Sequence, residues 1–113
     1  MTFEYLDPKI EIKYFCQEGD AIIPGDKLLT VKGPADALLM AERTALNFLQ
    51  RLSGVATVSN KLVNALKDTG IKVVDTRKTT PAYRNLQKYA VRVGGAYNHR
   101  YGLSDLIMLK DKR

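Results

Sequence analysis

The spacing of hydrophobic positions changes along the chain, and each change predicts a different element. From Ile10 to Phe15, Ile10, Ile12 and Tyr14 alternate with Glu11 and Lys13, the period of a half-buried strand. Turn signals at Glu18-Gly19-Asp20 and Pro24-Gly25-Asp26 flank Ala21-Ile22-Ile23, and Leu28 to Val31 reads as another strand. This part predicts a small antiparallel sheet packed on a helix. After Gly33-Pro34 the spacing becomes helical. Leu38, Leu39, Ala45, Leu46, Leu49 and Leu52 form one apolar face, with Asp36 near the positive end of the helix dipole. Gly54 is expected to interrupt or end that helix. Thr57 to Lys67 then gives a second one, with Val58, Leu62, Ala65 and Leu66 inward and Gly70 as its stop. The runs Ile71 to Val74 and Leu106 to Leu109 are short and unbroken, as in buried strands. Between them Leu86, Tyr89, Ala90 and Val93 recur at helical spacing over Ala82 to Val93, and Gly94-Gly95 supplies a stop. Strand, helix and strand predict a right-handed βαβ unit with two parallel strands. The fold class is α/β (α+β), divided into residues 1–70 and 71–113.

Composition narrows the picture. A 45% hydrophobic content in 113 residues suffices for a core, and no apolar run approaches membrane-spanning length. Glu4, Asp7 and Lys9 make the first ten residues unlike a signal peptide. The single cysteine, Cys16, excludes an internal disulfide and reads as buried filler in a reducing, cytoplasmic setting. No lysine stands on a hairpin tip beside methionine, so the turn-rich β region lacks the attachment site of lipoyl or biotinyl carrier domains. The net charge of +6 is unevenly spread. Residues 1–71 hold eight Lys/Arg and nine Asp/Glu, whereas residues 72–113 hold ten and three, giving −1 and +7. Many of those cations sit at strand ends rather than along one stripe, which favours a local anion site over a nucleic-acid surface.

The expected anion site has a definite chemistry. Arg77 and Lys78 follow the first strand, and Lys110 follows the second. Ligands of βαβ units gather at those carboxyl ends. Arg77 and Arg100 can each grip a carboxylate or phosphate with two parallel hydrogen bonds. Lys78 and Lys110 add point charges, and His99 can donate to an anion or relay a proton. No nucleophile has an adjacent base, and no set of residues has metal-ligand spacing. The loop carrying His99 and Arg100 enters the second strand from its other end, so the βαβ argument alone does not place it beside Arg77. Arg43, on pattern alone, is a surface arginine on a helix. Arg51, Lys88 and Arg92 read as solvated or structural.

Asp75-Thr76-Arg77-Lys78-Thr79-Thr80-Pro81, Lys88-Tyr89-Ala90-Val91-Arg92-Val93-Gly94-Gly95, Asn98-His99-Arg100-Tyr101-Gly102-Leu103-Ser104-Asp105 and Leu109-Lys110-Asp111 closely resemble the quinolinate phosphoribosyltransferases. The run from Glu42 to Thr57 resembles them equally. The resemblance implies part of an amino-terminal open sandwich with helices, followed by the first βαβ unit of a parallel (β/α) barrel. It implies transfer of phosphoribose from phosphoribosyl pyrophosphate, with magnesium, to quinolinate. Decarboxylation then gives nicotinate mononucleotide for NAD biosynthesis. By that likeness Arg77, His99, Arg100 and Arg43 hold the substrate carboxylates, Arg43 in the site of a partner copy within a homodimer or higher homo-oligomer. Lys78 and Lys110 bind substrate and stabilise charge as the catalytic pair, Thr76 supports them, and Asp75 braces the strand end. Magnesium ligands are expected outside the chain.

Three departures stand out. The family's acidic residues for ribose and magnesium lie on later strands. Ala82-Tyr83 and Ala96-Tyr97 occupy places where small or apolar residues, often glycine, are common. Lys112-Arg113 stands where Asn-His usually follows Asp111. The family's members are longer, so the 113 residues are expected to bind quinolinate without turning it over. The competing reading is a truncated, non-catalytic binding or assembly module. A molybdate-transport relative is disfavoured because Asn98-His99-Arg100 replaces its usual Pro-His-Arg.

Overall fold

The structure, a computed structural model, describes residues 2–107 and 109. The chain is mixed α/β and forms two compact units, Met1–Ser53 and Gly54–Arg113. The sequence pattern divides the chain further along, after Gly70.

The first unit begins with a short helix, α1 (Thr2–Leu6), and a two-stranded antiparallel sheet, β1 (Glu11–Tyr14) and β2 (Leu29–Lys32). Glu11 pairs with Lys32 and Tyr14 with Leu29, and the Phe15 N–H to the Leu28 carbonyl adds one more rung at 2.8 Å. The two aspartates of the intervening segment act alike. Asp20 accepts from the Gln17 N–H and Asp26 from the Ile23 N–H, both at 2.8 Å, each closing a turn at a glycine with positive φ. Ile10 is buried, and Gly33 lies so close that a Cβ there would sit 2.6 Å from the Ile10 side chain. Cys16 is half-buried, its thiol directed at the Leu28 carbonyl.

Pro34 precedes the long helix α2 (Ala35–Ala65) and its carbonyl accepts from the Leu38 N–H. The expected break at Gly54 does not occur, and the two predicted helices are one. A mid-helix glycine costs about 1 kcal/mol, too little to end a helix whose apolar spacing continues on both sides through Leu52, Val55 and Ala56. Among the described residues no helix is long and apolar enough to cross a membrane.

In the second unit the last helix, α3 (Arg84–Val93), is closed at its C-terminus by two backbone bonds. The Ala96 N–H reaches the Val91 carbonyl and the Gly95 N–H reaches that of Arg92, with Gly95 at φ +86°. Gly94 is buried against α2: a Cβ on it would lie 2.3 Å from the Ala56 carbonyl oxygen and 2.7 Å from Ser59. That turn sends the chain straight back beside Val74, where a parallel bridge to Tyr97 forms. The Tyr97 N–H bonds the Val73 carbonyl at 2.9 Å and the Asp75 N–H bonds the Tyr97 carbonyl at 3.0 Å. The parallel return after the helix was expected at Leu106 to Leu109. It comes earlier because the Gly94-Gly95 turn delivers Ala96–Asn98 to Val74 directly, and the run Ile71 to Val74, expected as a buried strand, forms only this single bridge, with Ile71 and Val74 exposed. Leu106, Ile107 and Leu109 carry no strand and are exposed; Met108, within the same run, lies outside the described residues.

Candidate anion-binding site

The site is built on the segment that leaves this bridge. Asp75 follows Val74 with its side chain largely buried, and both carboxylate oxygens are engaged. Lys88, arriving from α3, places its Nζ 2.8 Å from each of them. The Asn98 side-chain amide donates to one oxygen at 2.7 Å, and the His99 backbone N–H donates to the other at 2.8 Å. Asn98 also donates to the Lys88 carbonyl at 2.9 Å. One carboxylate thus joins the strand end, the helix and the returning loop. Burial alone would raise the Asp75 pKa. The hydrogen bonds from Lys88, His99 and Asn98, with the charge of Lys88, outweigh it and hold the carboxyl below its ordinary value of 3.8.

The residues after Asp75 are ordered by a second set of contacts. The Thr76 hydroxyl accepts from the Lys78 N–H at 3.1 Å. The Arg77 carbonyl accepts from the Thr79 N–H at 3.0 Å and from the Arg84 guanidinium at 3.3 Å. Arg84 also donates to the Thr79 hydroxyl, and Gln87 exchanges two hydrogen bonds with Thr80. Ala82, just before α3, is held at φ +62°. The Gly102 and Tyr101 N–H groups both bond Asp105 at 2.7 Å. They keep that exposed carboxyl below its ordinary value and close the turn after Arg100. Tyr101 in turn bonds Asn85 through its hydroxyl.

Thr76, Arg77 and Lys78 therefore leave the Val74 bridge where His99 is tied back to Asp75, with Arg100 next in the chain. Thr76, Lys78 and His99 are exposed, and Arg77 and Arg100 are half-buried. The Arg77 Nε is buried and meets no hydrogen-bond partner. Arg43 is exposed on α2 and belongs to the first unit. Lys110 lies outside the described residues. Among those residues no group of three or more His, Cys, Asp or Glu side chains is arranged to hold a metal ion, and both acids near the site already hold protein donors.

Residues 1–53 match the N-terminal domain of quinolinate phosphoribosyl transferase, and residues 55–113 match its C-terminal domain. The chain belongs to this family. It is 50% identical over 109 residues to the probable carboxylating nicotinate-nucleotide pyrophosphorylase of Bacillus subtilis, an alignment covering 96% of the chain and 38% of the relative. A chloroplastic carboxylating pyrophosphorylase of Arabidopsis thaliana is 41% identical, with 98% and 31% covered. The crystal structure of NadC from Streptococcus pyogenes superposes with a TM-score of 0.92 at 51% identity, covering 96% of this chain and 40% of that one. The chain spans well under half the length of these relatives.

Within this chain, sequence reasoning gave no part in the site to four polar residues that shape it: Arg84, Gln87, Lys88 and Asn98. The first three fall on one face of α3, which was read by its apolar residues. Leu86 and Tyr89 are in fact exposed, while Lys88 is buried. A signal was present: Asp75 is one of only three acids in residues 72–113, and Lys88 lies four residues after Arg84 on the same face.

Proposed function

We propose that this corner holds the carboxylates of quinolinate in a phosphoribosyl transfer that yields nicotinate mononucleotide. The observation that carries the reading is the bond from the His99 N–H to Asp75, which brings the His99-Arg100 loop to the segment that carries Arg77-Lys78. A ligand with two adjacent carboxylates suits two arginines, each able to form a paired hydrogen bond.

In the reaction the pyridine nitrogen forms a bond to the anomeric carbon of phosphoribosyl pyrophosphate, and the bond to pyrophosphate breaks. The 2-carboxylate then leaves as carbon dioxide, and the ring carbon takes up a proton. Arg77, His99 and Arg100 orient the pyridine through its carboxylates, which fixes the line of attack. Lys78 offsets charge on the anionic substrates, Thr76 orders the Lys78 amide, and Lys110 acts with Lys78. Arg43 completes the carboxylate site of a partner copy in a homodimer or higher homo-oligomer. Magnesium enters with the pyrophosphate substrate. The lone free Cys16 is consistent with a reducing, cytoplasmic setting.

Backbone amide shifts during a quinolinate titration test the reading. The largest changes are expected at Thr76–Lys78 and His99–Arg100. Changes confined to other surfaces, or none at millimolar quinolinate, would overturn it.

A further inference from the structure

We propose that Asp75, Lys88 and Asn98 form a positioning device that sets the His99–Arg100 loop against Arg77–Lys78 at the spacing a dicarboxylate requires. This rests on the reading of the corner as a quinolinate site, and it assigns the geometry of that site to three residues that touch no substrate.

The physical case begins with what the ion pair does not supply. Lys88 and Asp75 have side chains only 8% and 7% exposed. Removing two charges from water is costly, and apolar residues of similar volume often serve stability as well or better. An apolar pair, however, has no preferred direction. The carboxylate of Asp75 has one, because one oxygen takes the His99 N–H and the other the Asn98 amide. These bonds anchor the His99 backbone and the Asn98 side chain, the two residues immediately before Arg100. Lys88 holds both oxygens from the opposite element, so the carboxylate itself cannot turn. Asn98 closes the set by bonding the Lys88 carbonyl. The same Asp75 is two residues from Arg77, so each displacement of the loop changes its spacing to that arginine. Grip on two carboxylates at once is sensitive to displacements of about 1 Å.

A purely structural role and a positioning role differ in one respect. If the device only stabilises the fold, quinolinate affinity follows thermal stability. If it positions the loop, affinity separates from stability. Two variants of the full chain make the comparison. Asn98→Ala keeps the buried pair and removes one tie to the loop. The double variant D75L/K88M removes both charges and the remaining ties. Calorimetry gives the dissociation constants for quinolinate and for nicotinate, a pyridine with one carboxylate, and the unfolding midpoint is measured in parallel.

The expected result for Asn98→Ala is an unfolding midpoint close to wild type with a quinolinate Kd raised about tenfold or more, the range seen when residues supporting a ligand are removed. Nicotinate binding should change much less, so discrimination between the two acids falls. The double variant, where it folds, should lose affinity further without a matching loss of midpoint. Wild-type quinolinate affinity and discrimination in Asn98→Ala would overturn the positioning role and leave the site reading intact. Affinity that falls only in step with the midpoint would overturn it too. A wild-type chain that binds no quinolinate overturns both, and is distinguished by failing before any variant is made.

Discussion

Asp75 carries a buried negative charge whose partners are all on the protein, which makes its consequences testable by acid and by substitution. Its folded pKa lies below the ordinary 3.8. The carboxylate therefore contributes stability that is fully present above the ordinary value and is lost as pH falls through the lower, folded value. On acidification the His99 and Asn98 amide resonances should hold steady through the pH range where exposed carboxyls titrate, then shift together below it. Shifts that track the exposed acids would contradict this. Replacing Asp75 by Ala leaves the Lys88 charge buried without a partner, and should destabilise by about 3–5 kcal/mol in a urea titration. Ala82 makes the opposite prediction. At φ +62° a side chain costs about 1 kcal/mol or more, part of which glycine's greater freedom in the unfolded chain offsets. Ala82→Gly should stabilise by a few tenths to about 1 kcal/mol.

Two glycines of similar appearance in sequence behave differently in the helices, and their replacement by alanine should have opposite signs. Gly54 lies inside α2, where a Cβ would meet nothing within 4 Å, so Gly54→Ala should stabilise by about 1 kcal/mol. Gly94 ends α3 against Ala56 and Ser59, so Gly94→Ala must push backbone aside and should destabilise measurably by thermal unfolding. The pair also explains what could be read from the chain beforehand. The β1–β2 hairpin and the stop at Gly94-Gly95 follow from local signals: alternation and turn residues. The continuity of α2 did not, because a glycine is a weak breaker whose effect is decided by what packs on either side. The inward face of α3 did not either. Its apolar residues suggested Leu86 and Tyr89, yet the loop after Asp75 has backbone groups that Arg84 and Gln87 satisfy, and Lys88 pairs with the Asp75 carboxylate. Proximity of His99 to the strand end was likewise hidden, because it depends on the early return at Tyr97 rather than on the run at Leu106.

The chain as a whole leaves much apolar surface in water. Among the described residues only Ile10, Ala41, Ala90 and Ala96 are buried apolar positions, while Leu39, Met40 and Ile71 are 72%, 71% and 62% exposed. Surfaces of this kind bind other protein surfaces, so the purified chain should self-associate at micromolar concentration. Sedimentation showing a compact, stable monomer would count against that. The charge distribution adds a further constraint. With +7 gathered in residues 72–113, binding of a dianion should weaken as salt rises. The claim that Arg77 and Arg100 share one dicarboxylate is tested most directly by calorimetric titration of quinolinate into the chain, Arg77→Met and Arg100→Met, each at low and high salt. The account predicts a single salt-sensitive site in the wild type, with affinity reduced at least about tenfold in either variant, as expected when a charged hydrogen-bonding pair worth roughly 1.5–3 kcal/mol is lost. Equal affinity in all three proteins, or loss in only one of the two variants, would contradict it.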